Sequence, residues 1–120
     1  MVKKTLILGA TENPARYAHT AAHRLVQAGH SIVNVGLKAG TVAGQPILTG
    51  QPEVPGIHTI TLYVGPAHQP RLYDYILKIR PERLIFNPGT ENPELAALAR
   101  QHGIVTEEAC TLVLLATDQY

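Results

Sequence analysis

Tryptophan is missing from this 120-residue chain, and phenylalanine, methionine and cysteine occur once each. A single cysteine, Cys110, excludes an internal disulfide and fits a reducing compartment. No long apolar run is present. The one from Thr5 to Ala10 is too short for a signal-peptide core or a membrane span. A basic block is missing as well: ten Lys and Arg offset nine Asp and Glu for a net charge of +1. Without such a block or an RNA-type aromatic motif, nucleic acid is not an expected partner. The six histidines are scattered. His19 and His23 have helical i,i+4 spacing, but no His-Glu-x-x-His pattern and no third ligand accompany them, so no metal site is expected. What remains is a cytoplasmic domain without a membrane role. An apolar content of 45% over residues 1–120 suffices for a single core and one domain.

Glycine and proline are plentiful, with ten and nine residues, and they punctuate the chain. Thr5–Leu8 reads as a buried strand ending at Gly9. A helix is expected from Ala15 to Ala28, with Asn13 as its N-cap, Pro14 in its first position and Gly29 after its end. Strands follow at Ser31–Val35, Thr59–Val64, Arg83–Phe86 and Ile104–Thr106. Residues 41–56 are dense in breakers and read as an irregular connection with a short extended piece at Ile47-Leu48. Helices are expected from Pro70 to Ile79 and from Asn92-Pro93-Glu94 to Gly103. The apolar tail, Cys110 to Ala116, reads as a short helix packing back on the sheet. Alternating strands and helices define a three-layer α/β sandwich with a mostly parallel sheet.

The stretch Leu6-Ile7-Leu8-Gly9-Ala10-Thr11-Glu12-Asn13-Pro14 is a strand, a tight turn and a helix start. Backbone N–H groups and the helix dipole converge there, which favours an anion. Thr11 adds a hydroxyl and Arg16 a cation within reach of a diphosphate. The Gly-x-Gly-x-x-Gly pattern of a dinucleotide site is absent, and Val35-Gly36-Leu37-Lys38 offers a lysine where an NAD ribose would want an acid. An ammonium there suits a phosphorylated ribose, as in coenzyme A or NADP. The loops at Gly9, Gly36, Gly65 and Asn87 all follow strands, so they gather on one edge of a parallel sheet.

Four phrases together are more specific: Gly9-Ala10-Thr11-x-x-Pro14, Val35-Gly36-Leu37-Lys38-Ala39-Gly40, Tyr63-Val64-Gly65-Pro66 and Phe86-Asn87-Pro88-Gly89-Thr90-Glu91. They resemble the family of small stand-alone CoA-binding proteins, which is similar to the N-terminal CoA-binding domain of the succinyl-CoA synthetase α subunit. The resemblance runs from Lys4 to Tyr120, and Asn87 to Glu94 is its most distinctive part. It implies an α/β/α Rossmann-type fold with a mostly parallel five-stranded sheet in the order 3-2-1-4-5. It also implies that the CoA pyrophosphate lies at Gly9, Ala10 and Thr11, with Lys38 near the ribose 3′-phosphate. Val64, Gly65 and Pro66 would border the adenine. Asn87, Pro88, Gly89 and Thr90 would face the first turn across a crevice between strands 1 and 4. Leu37 and Gly65 depart from the family's pattern, where proline, and proline or asparagine, are usual.

The function so implied is that of a CoA or acyl-CoA binding module with no catalytic residue of its own. Cys110 reads as structural, because the neighbouring Glu107 and Glu108 would raise a thiol pKa. The phosphohistidine of the synthetase relatives belongs to parts absent from this chain. An NADP- or CoA-dependent enzyme or enzyme subunit acting in the crevice is the rival reading. An interaction module that has lost its ligand is the third. The apolar tail leaves a homodimer or a partner enzyme subunit as a candidate assembly.

Overall fold

Three of the strands are buried along their whole length, as strands sandwiched between two helical layers must be. They are β1 (Thr5–Leu8), β5 (Thr59–Leu62) and β6 (Arg83–Phe86) in a computed structural model that describes residues 2–120. Their side chains alternate between two cores. Leu6, Leu8, Ile60, Leu62, Leu84 and Phe86 pack against Tyr75 and Ile76 of α2 (Tyr73–Ile79) and Leu95 and Ala99 of α3 (Pro93–Gln101). Ile7 and Ile85 face the other way, toward Ala18, Ala22 and Leu25 of α1 (Tyr17–Gln27) and Leu114 and Leu115 of α4 (Thr111–Ala116). The small alanines of α1 let that helix lie close to the sheet. The three-layer α/β/α architecture with a mostly parallel sheet is thus as expected.

The sheet has seven strands rather than five, in the order β3-β4-β2-β1-β5-β6-β7. Of the remaining strands, β2 is Ile32–Val35 and β7 is Val105–Glu108. The two additions, β3 (Gly40–Val42) and β4 (Gln45–Leu48), form an antiparallel hairpin inside the connection read as irregular, and β4 contains the extended piece expected at Ile47-Leu48. Its two-residue loop, Ala43-Gly44, has φ of 52° and 79°, the left-handed pair that a type I′ hairpin turn requires. Alanine in place of asparagine hides that turn from a sequence reading, and Pro46 within β4 argues against a strand. The buried Asn34 amide donates to the Val42 and Gln45 carbonyls at 3.2 Å each and ties the hairpin to β2.

The order 3-2-1-4-5 holds only when β4 takes third place, since β4 pairs with β2. The strand at Thr59, counted third from the sequence, pairs instead with β1, Leu8 opposite Leu62. The crevice beside β1 is therefore bounded by β5, and β6 lies one strand further out.

Helix boundaries differ in one informative place. Asn13 does not cap α1: its Oδ1 accepts the Ala15 N–H at 3.0 Å and its carbonyl accepts the Arg16 N–H at 3.1 Å. Its polar groups close a separate turn containing Pro14, so Arg16 becomes the N-cap without a side-chain cap bond. Asn92 does cap α3, accepting from the Glu94 and Leu95 amides at 3.1 and 3.2 Å. The helix expected from Pro70 opens with the 3-10 turn Pro70–Leu72, preceded by another at Pro66–His68. The tail forms the short helix α4, as the sequence suggests.

Candidate ligand groove

The C-terminal ends of β1, β2, β5 and β6 open into a groove of about 1240 Å³. Ordinary small-molecule pockets span about 300–1,000 Å³, so this one has room for a large ligand. Its walls are the β1–α1 turn, the β2–β3 loop, the segment after β5 and the β6–α3 loop.

Two glycines let the β1–α1 turn meet its neighbours, Gly9 toward the segment after β5 and Gly36 from the β2–β3 loop. Gly9 has φ +101°, and a Cβ there would sit 2.7 Å from the Tyr63 carbonyl oxygen. A Cβ on Gly36 would overlap the Ala10 carbonyl. The Gly9 and Ala10 amides both donate to the Val35 carbonyl, at 2.9 and 3.0 Å. The convergence of donors expected at this turn is therefore narrower than the sequence suggests. Among the described residues, the Thr11 and Glu12 amides donate to no protein group. The Thr11 hydroxyl oxygen accepts the Asn13 N–H at 3.1 Å, which leaves its proton free to donate.

Arg16, Lys38 and Arg71 line the groove, and Glu12 is the one carboxylate among its lining residues. Those three cations are exposed, and no ion pair or side-chain hydrogen bond engages them within the described residues. Cations elsewhere do find carboxylates: Lys78 pairs with Glu53 at 3.3 Å and Arg83 with Glu107 at 3.8 Å. The groove thus gathers unpaired positive charge on a chain whose net charge is only +1.

Of the residues singled out from the sequence, Gly9, Ala10, Thr11, Asn13, Arg16, Lys38, Val64, Gly65, Pro88 and Gly89 line this groove. Pro14 sits in the turn before α1 and Pro66 starts a 3-10 turn, both outside the lining. Asn87 lies beneath the groove rather than in it. Its Nδ2 donates to Thr61 Oγ1 at 2.8 Å and to the Leu62 carbonyl at 2.9 Å.

Sequence reasoning missed several residues. Arg71 falls inside the helix expected from Pro70 to Ile79, yet it comes to the groove from a 3-10 turn. Gln69 is fully buried and donates at 2.8 Å to both the Val64 and Thr90 carbonyls, while its Oε1 accepts from Asn92 at 2.8 Å. It joins two walls of the groove, and a glutamine in a loop gives no signal for such a role. The Tyr63 hydroxyl is buried without a hydrogen-bond partner. Burial pushes its pKa up to about 12, against a smaller downward pull from the Thr61 and Thr111 hydroxyls. It is therefore protonated at any physiological pH. The exposed Tyr17 and Leu37 also reach the groove. Cys110 is a half-buried free thiol at the start of α4. Among the described residues no group of three or more His, Cys, Asp or Glu could hold a metal ion, and no helix is long and apolar enough to cross a membrane.

A mostly parallel sheet with a groove that gathers positive charge at the C-terminal ends of its strands puts the cleft where α/β folds bind ligands. The chain matches the CoA binding domain family over residues 3–116 and belongs to that family. A comparison with curated proteins finds no match. Among solved structures, the chain is similar to the crystal structure of an uncharacterized protein with 47% identity and a TM-score of 0.97, covering 100% of this chain and 99% of that one. The structure of cell-free ID.343 from Thermus thermophilus is 20% identical with a TM-score of 0.86, covering 98% of this chain and 90% of that one. A hypothetical protein from Pyrococcus horikoshii OT3 is 23% identical with a TM-score of 0.78, covering 92% and 79%. The last two likenesses establish the fold.

Proposed function

We propose that the chain, as one domain, binds CoA or an acyl-CoA in this groove and contributes no catalytic group of its own. The observation that carries the reading is the trio of unpaired cations, Arg16, Lys38 and Arg71, lining one large groove. CoA brings a pyrophosphate and a separate ribose phosphate, so it needs positive charge at more than one point. The pyrophosphate fits the free Thr11 and Glu12 amides with Arg16, on a turn shaped by Gly9, Ala10, Asn13 and Pro14. Lys38 fits the 3′-phosphate. Val64, Gly65 and the Pro66 turn form the wall for the adenine, and Pro88 and Gly89, held from below by Asn87, form the facing wall. CoA in such a site would supply a thioester handle for an acyl group. A partner enzyme subunit would then supply the chemistry.

Thermal-shift titration tests this reading. CoA is expected to raise the melting temperature more than dephospho-CoA does, with an affinity gap of about tenfold from one charge-assisted contact. Lys38→Ala is expected to erase the gap. Equal stabilisation of the unmodified protein by both ligands removes Lys38 from this role. Lys38 suits the 2′-phosphate of NADP as well, so stabilisation by NADP and not by CoA moves the assignment to the enzyme reading.

A further inference from the structure

Nothing between its two ends holds the loop that carries Lys38. Leu37, Lys38 and Ala39 are exposed, and no hydrogen bond among the described residues involves any of them. At its first end the loop is pinned by close approach. Gly36 passes so near the Ala10 carbonyl that a Cβ would not fit, and its N–H donates to the Leu48 carbonyl at 2.9 Å. At its second end Gly40 pairs with Ile47 in the hairpin, and Glu12 adds the contact that comes from the β1–α1 turn. The Glu12 carboxylate lies against Gly40, leaving no room for a Cβ there, and its Oε2 accepts the Thr41 N–H at 2.9 Å. Thr41 is on β3, an edge strand, and it lies opposite Pro46 of β4.

A glutamate beside an anion-binding turn is otherwise a liability, since like charges repel. We propose that Glu12 is a positioning residue: by accepting the Thr41 N–H against Gly40, it staples the Lys38 loop onto the β1–α1 turn and so fixes how the site discriminates a phosphorylated ribose. The bond is charge-assisted and runs from the β1–α1 turn to β3, directly after the Lys38 loop. It also holds the carboxylate against the hairpin. Lys38 is long and flexible, so its aim depends on where this three-residue loop stands. The ligand half of the proposal rests on the CoA reading; the staple itself does not.

Two measurements on the full chain separate the halves. Amide hydrogen exchange without ligand is compared for the unmodified protein, Glu12→Ala and Glu12→Gln. Glu12→Ala is expected to speed exchange at residues 36–42 about tenfold or more while β1 and β5 stay protected, which also shows that the variant folds. Glu12→Gln keeps an acceptor for Thr41 and is expected to behave as the unmodified protein does. The second readout is the ratio of dissociation constants for dephospho-CoA and CoA. The ratio is expected to fall toward unity in Glu12→Ala and to survive in Glu12→Gln. Unchanged exchange in Glu12→Ala overturns the staple. Loss of the ratio in both variants overturns positioning in favour of a direct charge effect. An unmodified protein that binds neither ligand overturns the CoA reading and the selectivity with it, while the exchange result still decides the staple.

Discussion

The Oδ1 of Asn87 accepts the backbone N–H of Thr111, the first residue of α4, at 2.9 Å. Its Nδ2 holds Thr61 and Leu62 on the other side, and the Thr61 and Thr111 hydroxyls bond to each other at 2.8 Å. One side chain at the end of β6 thus fixes β5 and the start of α4 together. Asn87→Ala would leave several buried partners unsatisfied. The expected loss is about 2–4 kcal/mol in denaturant unfolding. Asn87→Asp should also destabilise near neutral pH, because its carboxylate would face the Leu62 carbonyl without a donor.

Two glycine substitutions should part company. Gly9→Ala meets both a positive φ and the Tyr63 carbonyl, and it should cost about 2 kcal/mol or more. Gly65→Ala meets open space at an ordinary φ of −63° and should stay within about 0.5 kcal/mol. Chemical denaturation of both variants checks this, and comparable losses would show that the close approach at Gly9 has been overvalued.

Arg71 supplies a prediction for the groove that no sequence pattern announces. Arg71→Ala should weaken CoA about three- to tenfold and make binding less sensitive to salt, because one exposed cation facing the ligand is gone. Calorimetry across a salt series reads both effects. An unchanged salt dependence would place Arg71 outside the ligand's reach.

Acid should destabilise the fold through the opposite edge of the sheet. His30 Nδ1 accepts the Lys3 N–H at 2.9 Å, and burial, then the Lys3 charge, holds its pKa below the usual 6.5. His58 is lowered too, by burial first, against an upward pull from Glu82. The unfolded chain then takes up protons at a higher pH than the native one. Stability from these groups is complete above the unfolded value of 6.5 and is lost as pH falls toward the lower native values. Melting temperatures should therefore decline below pH about 6.5, and His30→Asn, which keeps an acceptor for Lys3, should flatten part of that decline.

The parts of the fold written in local chemistry were legible in the sequence. β1, β6 and the Asn92-Pro93 helix start fall where apolar runs and capping residues put them. The hairpin was not legible, because its turn uses alanine at a left-handed position and its second strand holds a proline. Asn13 misled for a related reason: a good cap residue is also a good turn residue, and here the turn wins. For the site, glycines and Lys38 announced themselves through spacing after strands. Gln69, Arg71 and the Glu12–Thr41 bond did not, because they depend on which loops the sheet order brings side by side.

The shared Val35 carbonyl makes the β1–α1 turn a tenant of β2. Because the Gly9 and Ala10 amides both rest on it, the turn keeps its shape only while the end of β2 is seated. A substitution that frays β2 should then be read by a ligand as lost affinity, though it touches no ligand atom. Conversely, a bound anion should slow the fraying of β2, so occupancy of the groove and integrity of the central sheet share one free-energy balance.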